Sequence, residues 1–170
     1  FHKFADELEA IDQAGQYAFG AAENEKHRVT WEGIAVWTYL GATFKGLKNQ
    51  GSVMTGSAYP GLWSLVYTPG DLESMAEAYT NVYINTCGSN RYEEFYKVVS
   101  NSKSDGIVLH LNRSCKLMGL LNNEGAEYVN AKMGVPFVSF DGDQTDPRVF
   151  TQAQYETRVQ ALSEMMDNNN

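Results

Sequence analysis

Cysteine is scarce: only Cys87 and Cys115 occur in 170 residues. Two thiols are too few for a disulfide framework in a domain of this size, and cytosolic thiols stay reduced. Nor can they hold an iron-sulfur cluster unaided, so any such group would take ligands from elsewhere. A disulfide, two buried thiols and ligation all stay open. Positive charge is short as well, with 13 Lys and Arg against 21 Asp and Glu and a formal net charge of −8. No basic stripe breaks that balance. This argues against nucleic acid or an anionic membrane as a partner, because binding either requires clustered cations. No apolar run approaches the roughly 20 residues that span a bilayer, and there is no charged-then-apolar leader. The expectation is a soluble, cytoplasmic protein. Glycines lie in loops without a dinucleotide fingerprint or a phosphate loop ending in Gly-Lys-Ser/Thr, so neither an NAD site nor ATP hydrolysis is indicated. Nothing in the sequence indicates a flavin.

What is present is an ordinary globular composition, 43% hydrophobic and 20% charged, the balance of one domain with a substantial core. The chain opens at Phe1 inside a helical pattern, without an initiator methionine, and closes on Asp167, Asn168, Asn169 and Asn170. It reads as a piece of something longer: 1–26 an N-terminal helix and linker from an upstream domain that the chain lacks, and 27–170 a C-terminal α/β domain.

Apolar residues at Phe4, Leu8, Ile11, Ala14 and Ala18 predict a first amphipathic helix packed on a sheet. Arg28 to Trp31 reads as a strand, followed by a helix with Trp37, Leu40, Phe44 and Leu47 on one face, closed by Gly51. Val53 to Tyr59 is a second strand ended by Pro60 and Gly61. Gly70 and Asp71 open a helix whose buried face would be Leu72, Met75, Ala76, Tyr79, Val82 and Tyr83. A helix over Arg91 to Val99 leads into Gly106 to Leu111, a continuous apolar run and the best strand in the chain. Two short helices between Ser114 and Met133 precede a fourth strand, Val135 to Phe140. The last helix starts at a capping box, Thr151 with Gln154, and buries Tyr155, Val159, Leu162 and Met166.

Strands separated by helices cannot be hairpins. The fold class is therefore α/β: a mainly parallel four-stranded sheet with right-handed crossovers and helices on both faces, a flavodoxin-like three-layer sandwich preceded by an N-terminal helix. Ligands of such sheets bind beyond the carboxyl ends of the strands. That collects four loops into one rim: Trp31-Glu32-Gly33, Gly56-Ser57-Ala58-Tyr59, Asn112-Arg113-Ser114-Cys115 and Asp141-Gly142-Asp143.

On that rim Cys115 sits at a helix start, where backbone N–H groups and the helix dipole favour a thiolate, with Arg113 and Lys116 pushing the same way. A thiolate so placed can be a nucleophile or a metal ligand; a small buried apolar residue is the plain alternative. Cys87, late on a helix before Gly88 and Ser89, fits helix-end packing better and is a weak ligand candidate. Asp141, Asp143 and Asp146 could hold a divalent cation or simply form turns, and Asp146 with Arg148 could form an internal ion pair. His110 in an apolar strand reads as a hydrogen-bonded core residue. His27, between Lys26 and Arg28, reads as solvated. Trp31, Trp37 and Trp63 could line an apolar pocket or pack in the core.

Three ordered strings, His27-Arg28-Val29-Thr30-Trp31-Glu32-Gly33-Ile34, His110-Leu111-Asn112-Arg113-Ser114-Cys115-Lys116-Leu117-Met118 and Phe140-Asp141-Gly142-Asp143-Gln144-Thr145-Asp146-Pro147-Arg148, closely resemble the 2-hydroxyacyl-CoA dehydratase family, in particular its α subunits acting on (R)-2-hydroxyglutaryl-CoA. The resemblance implies an oxygen-sensitive heterodimer, each subunit bearing a [4Fe-4S] cluster held by three cysteines, with an ATP-hydrolysing activator carrying its own iron-sulfur cluster and injecting one electron. It implies that Cys115 is one ligand, the others lying in an upstream domain, and that a ketyl radical mechanism removes water from the acyl-CoA. Asn112, Arg113 and Ser114 would surround Cys115 and donate hydrogen bonds to cluster sulfurs, or cap the helix. The fragment alone would be inactive. A benzoyl-CoA reductase-like subunit, a noncatalytic electron-relay subunit and a plain binding module are the competing readings.

Overall fold

The computed structural model describes residues 2–14 and 25–169. Four strands, β1 (His27–Glu32), β2 (Ser52–Ser57), β3 (Gly106–Asn112) and β4 (Phe137–Gly142), form one sheet in the order β2-β1-β3-β4. Every neighbouring pair is parallel, as strands separated by helices require. Six helices surround it: α1 (His2–Gln13), α2 (Leu40–Asn49), α3 (Leu72–Thr80), α4 (Gly88–Asn101), α5 (Lys116–Met133) and α6 (Gln152–Asn169).

Alternation along the central strand builds the core on both sides. Ile107 and Leu109 join Phe95 and Val99 of α4 and Ala126 and Val129 of α5. Val108 faces the other way, with Val29, Trp31, Leu47 of α2 and Tyr155, Val159, Leu162 and Met166 of α6. Successive side chains of a strand point to opposite faces, so a strand covered on both must be apolar throughout. The expected buried face of the last helix is the one observed, and α6 begins at Gln152, one residue past Thr151. The Tyr155 hydroxyl donates to the Thr43 carbonyl at 2.8 Å, fastening α6 to α2.

Several expectations need correction. The segment after Ser114 is one helix of 18 residues, not two short ones, stopped by Gly134 in the left-handed region, a conformation glycine adopts without steric cost. Trp37 to Tyr39 form a separate tight turn before α2; Trp37 and Phe44 stay exposed, and with Leu40, Met54 and Tyr59 they line a shallow apolar hollow. α3 ends at Thr80 and has no buried residue, with Leu72 76% exposed. Of its expected face only Tyr83, in the turn beyond the helix, is buried. Periodicity marks an apolar face but not whether anything packs on it. The same holds for α1, whose Phe4 is exposed and whose Leu8 and Ile11 are only part-buried; Ala18 and the linker over 15–24 lie outside the described residues. β4 begins and ends two residues later than expected, because Pro136 contributes only its carbonyl, which accepts from the Ile107 N–H at 3.0 Å.

His27 is not solvated: it is 3% exposed and its Nε2 lies 2.8 Å from the Asp167 carboxylate. Its strand position carries it under α6, which neighbouring charges in the sequence could not reveal. Among the described residues no helix is long and apolar enough to cross a membrane.

Candidate active site

Beyond the carboxyl ends of β1 and β3 lies a cavity of about 150 Å³, lined by Glu32, Gly33 and Ile34 after β1, His110, Asn112 and Cys115 of β3 and its loop, Met118 and Asn122 of α5, and Tyr59, Tyr83, Ile84 and Gln144 from adjoining loops. Three of the four expected rim segments contribute to it. The fourth is represented by Gln144, one residue beyond Asp143.

Cys115 is half-buried and free, and occupies the cap position of α5 without a side-chain hydrogen bond to the helix. Its backbone is tied at both ends, its N–H donating to the Asn112 carbonyl at 3.0 Å and its carbonyl accepting from the Gly119 N–H at 3.1 Å. Cys87 stands elsewhere. The loop over 81–87 separates it from α3, so it caps α4 as an exposed residue, not a packed residue at a helix end, and it does not line the cavity. A hydrogen bond with Ser89 at 3.3 Å, aided by backbone N–H groups, holds its thiol below the ordinary range.

The residues around Cys115 knit two loops together. The Asn112 side-chain oxygen accepts from Ser114 N at 3.4 Å and Gln144 N at 3.3 Å. The Ser114 hydroxyl donates to Asp143, and Arg113 pairs with Asp141 at 2.9 Å. Asp143 also accepts from Thr145 N at 2.9 Å and Asp146 N at 3.0 Å, and these bonds, Ser114 foremost, hold its carboxyl well below the usual carboxylate range. Asp146 pairs with Arg148 at 2.6 Å. Asp143 and Asp146 thus act as turn formers, and among the described residues no group of three or more His, Cys, Asp or Glu is gathered for a metal ion.

His110 is buried, as expected. A carbonyl only accepts, so its bond with the Ile34 oxygen fixes the proton on Nδ1, while Nε2 has no partner. Burial depresses its pKa. Gly33 is required here by two features at once. Its φ is +95°, and a Cβ would come within 2.6 Å of the His110 carbonyl oxygen. Gly33→Ala should therefore cost roughly 3 kcal/mol of stability, read as a lowered thermal midpoint of the assembled protein.

Sequence reasoning missed the floor of this cavity. Glu32 is 1% exposed; its Oε1 accepts from the Tyr83 hydroxyl at 2.9 Å and lies 3.6 Å from Arg91 Nη2, and its Oε2 has no hydrogen-bond partner among the described residues. Arg91 is buried too, donating to Asn122 Oδ1 at 2.6 Å and Met118 Sδ at 3.1 Å, with its guanidinium 4.4 Å from the Tyr83 ring centre. Burial pushes the Glu32 carboxyl up to about 7 against the opposing pull of Tyr83 and Arg91. Burial raises the Tyr83 hydroxyl as well. One signal was available: Arg91 stands four residues before Phe95 and eight before Val99, in register with the buried stripe of α4.

Comparison with known proteins fits this geometry. The family described as "2-hydroxyglutaryl-CoA dehydratase, D-component" matches residues 1–166. The chain belongs to that family. It is 58% identical to the lactoyl-CoA dehydratase subunit alpha of Anaerotignum propionicum, over 99% of this chain and 40% of that protein. It is 43% identical to the (R)-2-hydroxyisocaproyl-CoA dehydratase alpha subunit of Clostridioides difficile, over 98% of this chain and 40% of that protein. With the (R)-2-hydroxyglutaryl-CoA dehydratase subunit alpha of Acidaminococcus fermentans the identity is 37%, over 99% of this chain and 35% of that protein. The chain thus spans about two fifths of the length of these relatives.

Proposed function

We propose that this chain is the C-terminal domain of the cluster-bearing subunit of a cytoplasmic 2-hydroxyacyl-CoA dehydratase, which eliminates water from an (R)-2-hydroxyacyl thioester to give the enoyl-CoA. The reading is carried by Cys115, a free thiol on the lining of a largely apolar cavity where two parallel strands end. Soft thiolates are the ligands of iron-sulfur clusters, and Cys115 fits the role of one such ligand of a [4Fe-4S] cluster. The other thiolates come, in this reading, from outside the described residues. When bound, the cluster supplies the single electron that loosens the C2 hydroxyl and acidifies the C3 hydrogen of the thioester. The chain's own residues do the holding: Asn112 and Asp143 fix the loop that carries the thiol, and Ile34, Ile84 and Met118 keep the cavity apolar, so that water is kept from reactive species. A second dehydratase subunit and an ATP-hydrolysing activator complete the system.

For the acyl group the cavity favours a short, uncharged chain. Among the described residues no Lys or Arg lines the cavity, whereas a glutaryl carboxylate would need a cation when desolvated; the higher identity to the lactoyl-CoA relative points the same way. The assembled two-subunit enzyme, prepared anaerobically with activator and ATP, should dehydrate lactoyl-CoA faster than 2-hydroxyisocaproyl-CoA or 2-hydroxyglutaryl-CoA. No dehydration of any of the three, or reduction of benzoyl-CoA instead, would overturn the reading.

A further inference from the structure

The buried carboxyl of Glu32 has no role in holding Cys115, and its environment is unusual for a structural ion pair. Its contact with the Arg91 guanidinium is long at 3.6 Å, while that cation is committed at shorter range to Asn122 at 2.6 Å. Oε1 is bonded to Tyr83, and the Gly33 N–H and Arg91 also favour the charged form, yet among the described residues Oε2 is buried with no hydrogen-bond partner, on a residue that lines the same cavity as Cys115. A buried carboxylate oxygen left without a donor is costly, and a carboxyl that keeps its proton relieves that cost. Every group around Glu32 agrees with a site that holds a proton or gives it up. From the loop after α3 comes a hydroxyl donor, Tyr83; from α4 one guanidinium, Arg91; from α5 the neutral Asn122; and from the next residue in the chain the Gly33 N–H. The His110 ring packs against Trp31 and Phe140 on the opposite face of the sheet, which leaves Glu32 as the buried carboxyl of this cavity placed to exchange protons with a bound molecule.

We propose that Glu32 is the acid and base of the elimination, donating its carboxyl proton to the hydroxyl that leaves C2 and recovering one from C3 of the same substrate. This rests on the dehydratase reading above. The C2–O and C3–H bonds break, the C2–C3 double bond forms and water is released; the carboxyl that lost its proton to the departing hydroxide regains one from C3. The reaction is redox-neutral, since the electron lent to the thioester is returned. The proton balance closes on this one side chain. Its burial keeps bulk water from intercepting the proton, and Tyr83 and Arg91 stabilise the carboxylate between the two transfers. A carboxyl held near neutrality by burial is suited to both roles at physiological pH.

The test is Glu32→Gln in the assembled two-subunit enzyme, which preserves the shape and the acceptor for Tyr83. Iron and sulfide content and the Kd for 2-hydroxyacyl-CoA without activator should match the unsubstituted enzyme, while kcat falls by roughly 100-fold or more. Independently of turnover, infrared difference spectra of the enzyme titrated through neutral pH should show the carbonyl stretch of a protonated carboxyl that shifts on adding 2-hydroxyacyl-CoA and is missing in Glu32→Gln. Unchanged kcat in Glu32→Gln, or a carboxyl band that survives the substitution, would overturn the proposal. Should that variant fail to assemble, Tyr83→Phe decides: losing a bond to the charged form must move the titration of the band to higher pH, and an unmoved midpoint overturns the proposal. An unsubstituted enzyme that dehydrates no 2-hydroxyacyl-CoA would count against the dehydratase reading instead.

Discussion

Cys115→Ser in the assembled enzyme is expected to remove roughly one four-iron cluster's worth of iron and acid-labile sulfide, and with it activator-dependent dehydration, while the domain stays folded. Cys115 occupies the cap position of α5 and its thiol makes no bond to the helix, whereas serine is among the best residues at that position because its hydroxyl can accept from the first-turn N–H groups. The substitution should therefore leave α5 as stable as before or slightly more so, and iron loss cannot be laid to unfolding. Serine fails as a ligand because its hydroxyl stays protonated at neutral pH, where a thiol readily yields a thiolate. Cys87→Ser is the matched control. Its thiol is exposed and lies off the cavity lining, so iron, sulfide and turnover should all stay at their original values. Full iron content in Cys115→Ser would return Cys115 to the role of a small packing residue.

Arg91→Ala should be strongly destabilising, by roughly 3–5 kcal/mol at a pH where Glu32 is charged, the usual cost of stripping a buried carboxylate of its cation. The guanidinium touches Glu32, Tyr83, Met118 and Asn122, so its loss removes the polar ties of α4 to α5 and to the end of β1 together. The deficit should also depend on pH. Glu32 already has a pKa raised to about 7 by burial, above its value of about 4.3 in an unfolded chain. A raised carboxyl pKa contributes stability that is full below the unfolded value and is lost as pH rises through the folded one. Removing Arg91 raises that pKa further, so the variant keeps losing stability at pH values where the original protein has levelled off. Thermal midpoints of the two should lie nearer each other at pH 6 than at pH 8. A gap that is constant across this range would mean that Glu32 does not titrate there.

These two predictions draw on different sources. The position of Cys115 was legible in the sequence, because an apolar run ending in a polar loop and then a helix must place the loop at a carboxyl edge of a parallel sheet. The rim segments at Glu32 to Gly33 and Asn112 to Cys115 followed from the same rule. Arg91 was not legible as a site residue. Its partners stand 59 residues before it in Glu32 and 31 after it in Asn122, and no local pattern links positions so far apart. His27 failed for the same reason, its partner Asp167 being 140 residues away. The errors at α3, α1 and the Trp37 to Phe44 face share a different cause. Each has an apolar stripe of the right period, and whether such a stripe is buried depends on what lies opposite.

By itself the sequence determined the element order, the parallel sheet, the two-sided apolar strand at Gly106 to Leu111, the buried face of α6 and the position of Cys115 at a helix start. All of these rest on periodicity, turn residues and connectivity, which are local properties of a chain. Tertiary structure alone decided which polar groups would be buried together. The Glu32, Tyr83, Arg91 and Asn122 network exists because β1, α4, α5 and the loop after α3 converge beneath one cavity. Both the low dielectric that shifts the Glu32 carboxyl and the unpartnered state of its Oε2 are properties of that convergence rather than of any segment of the chain.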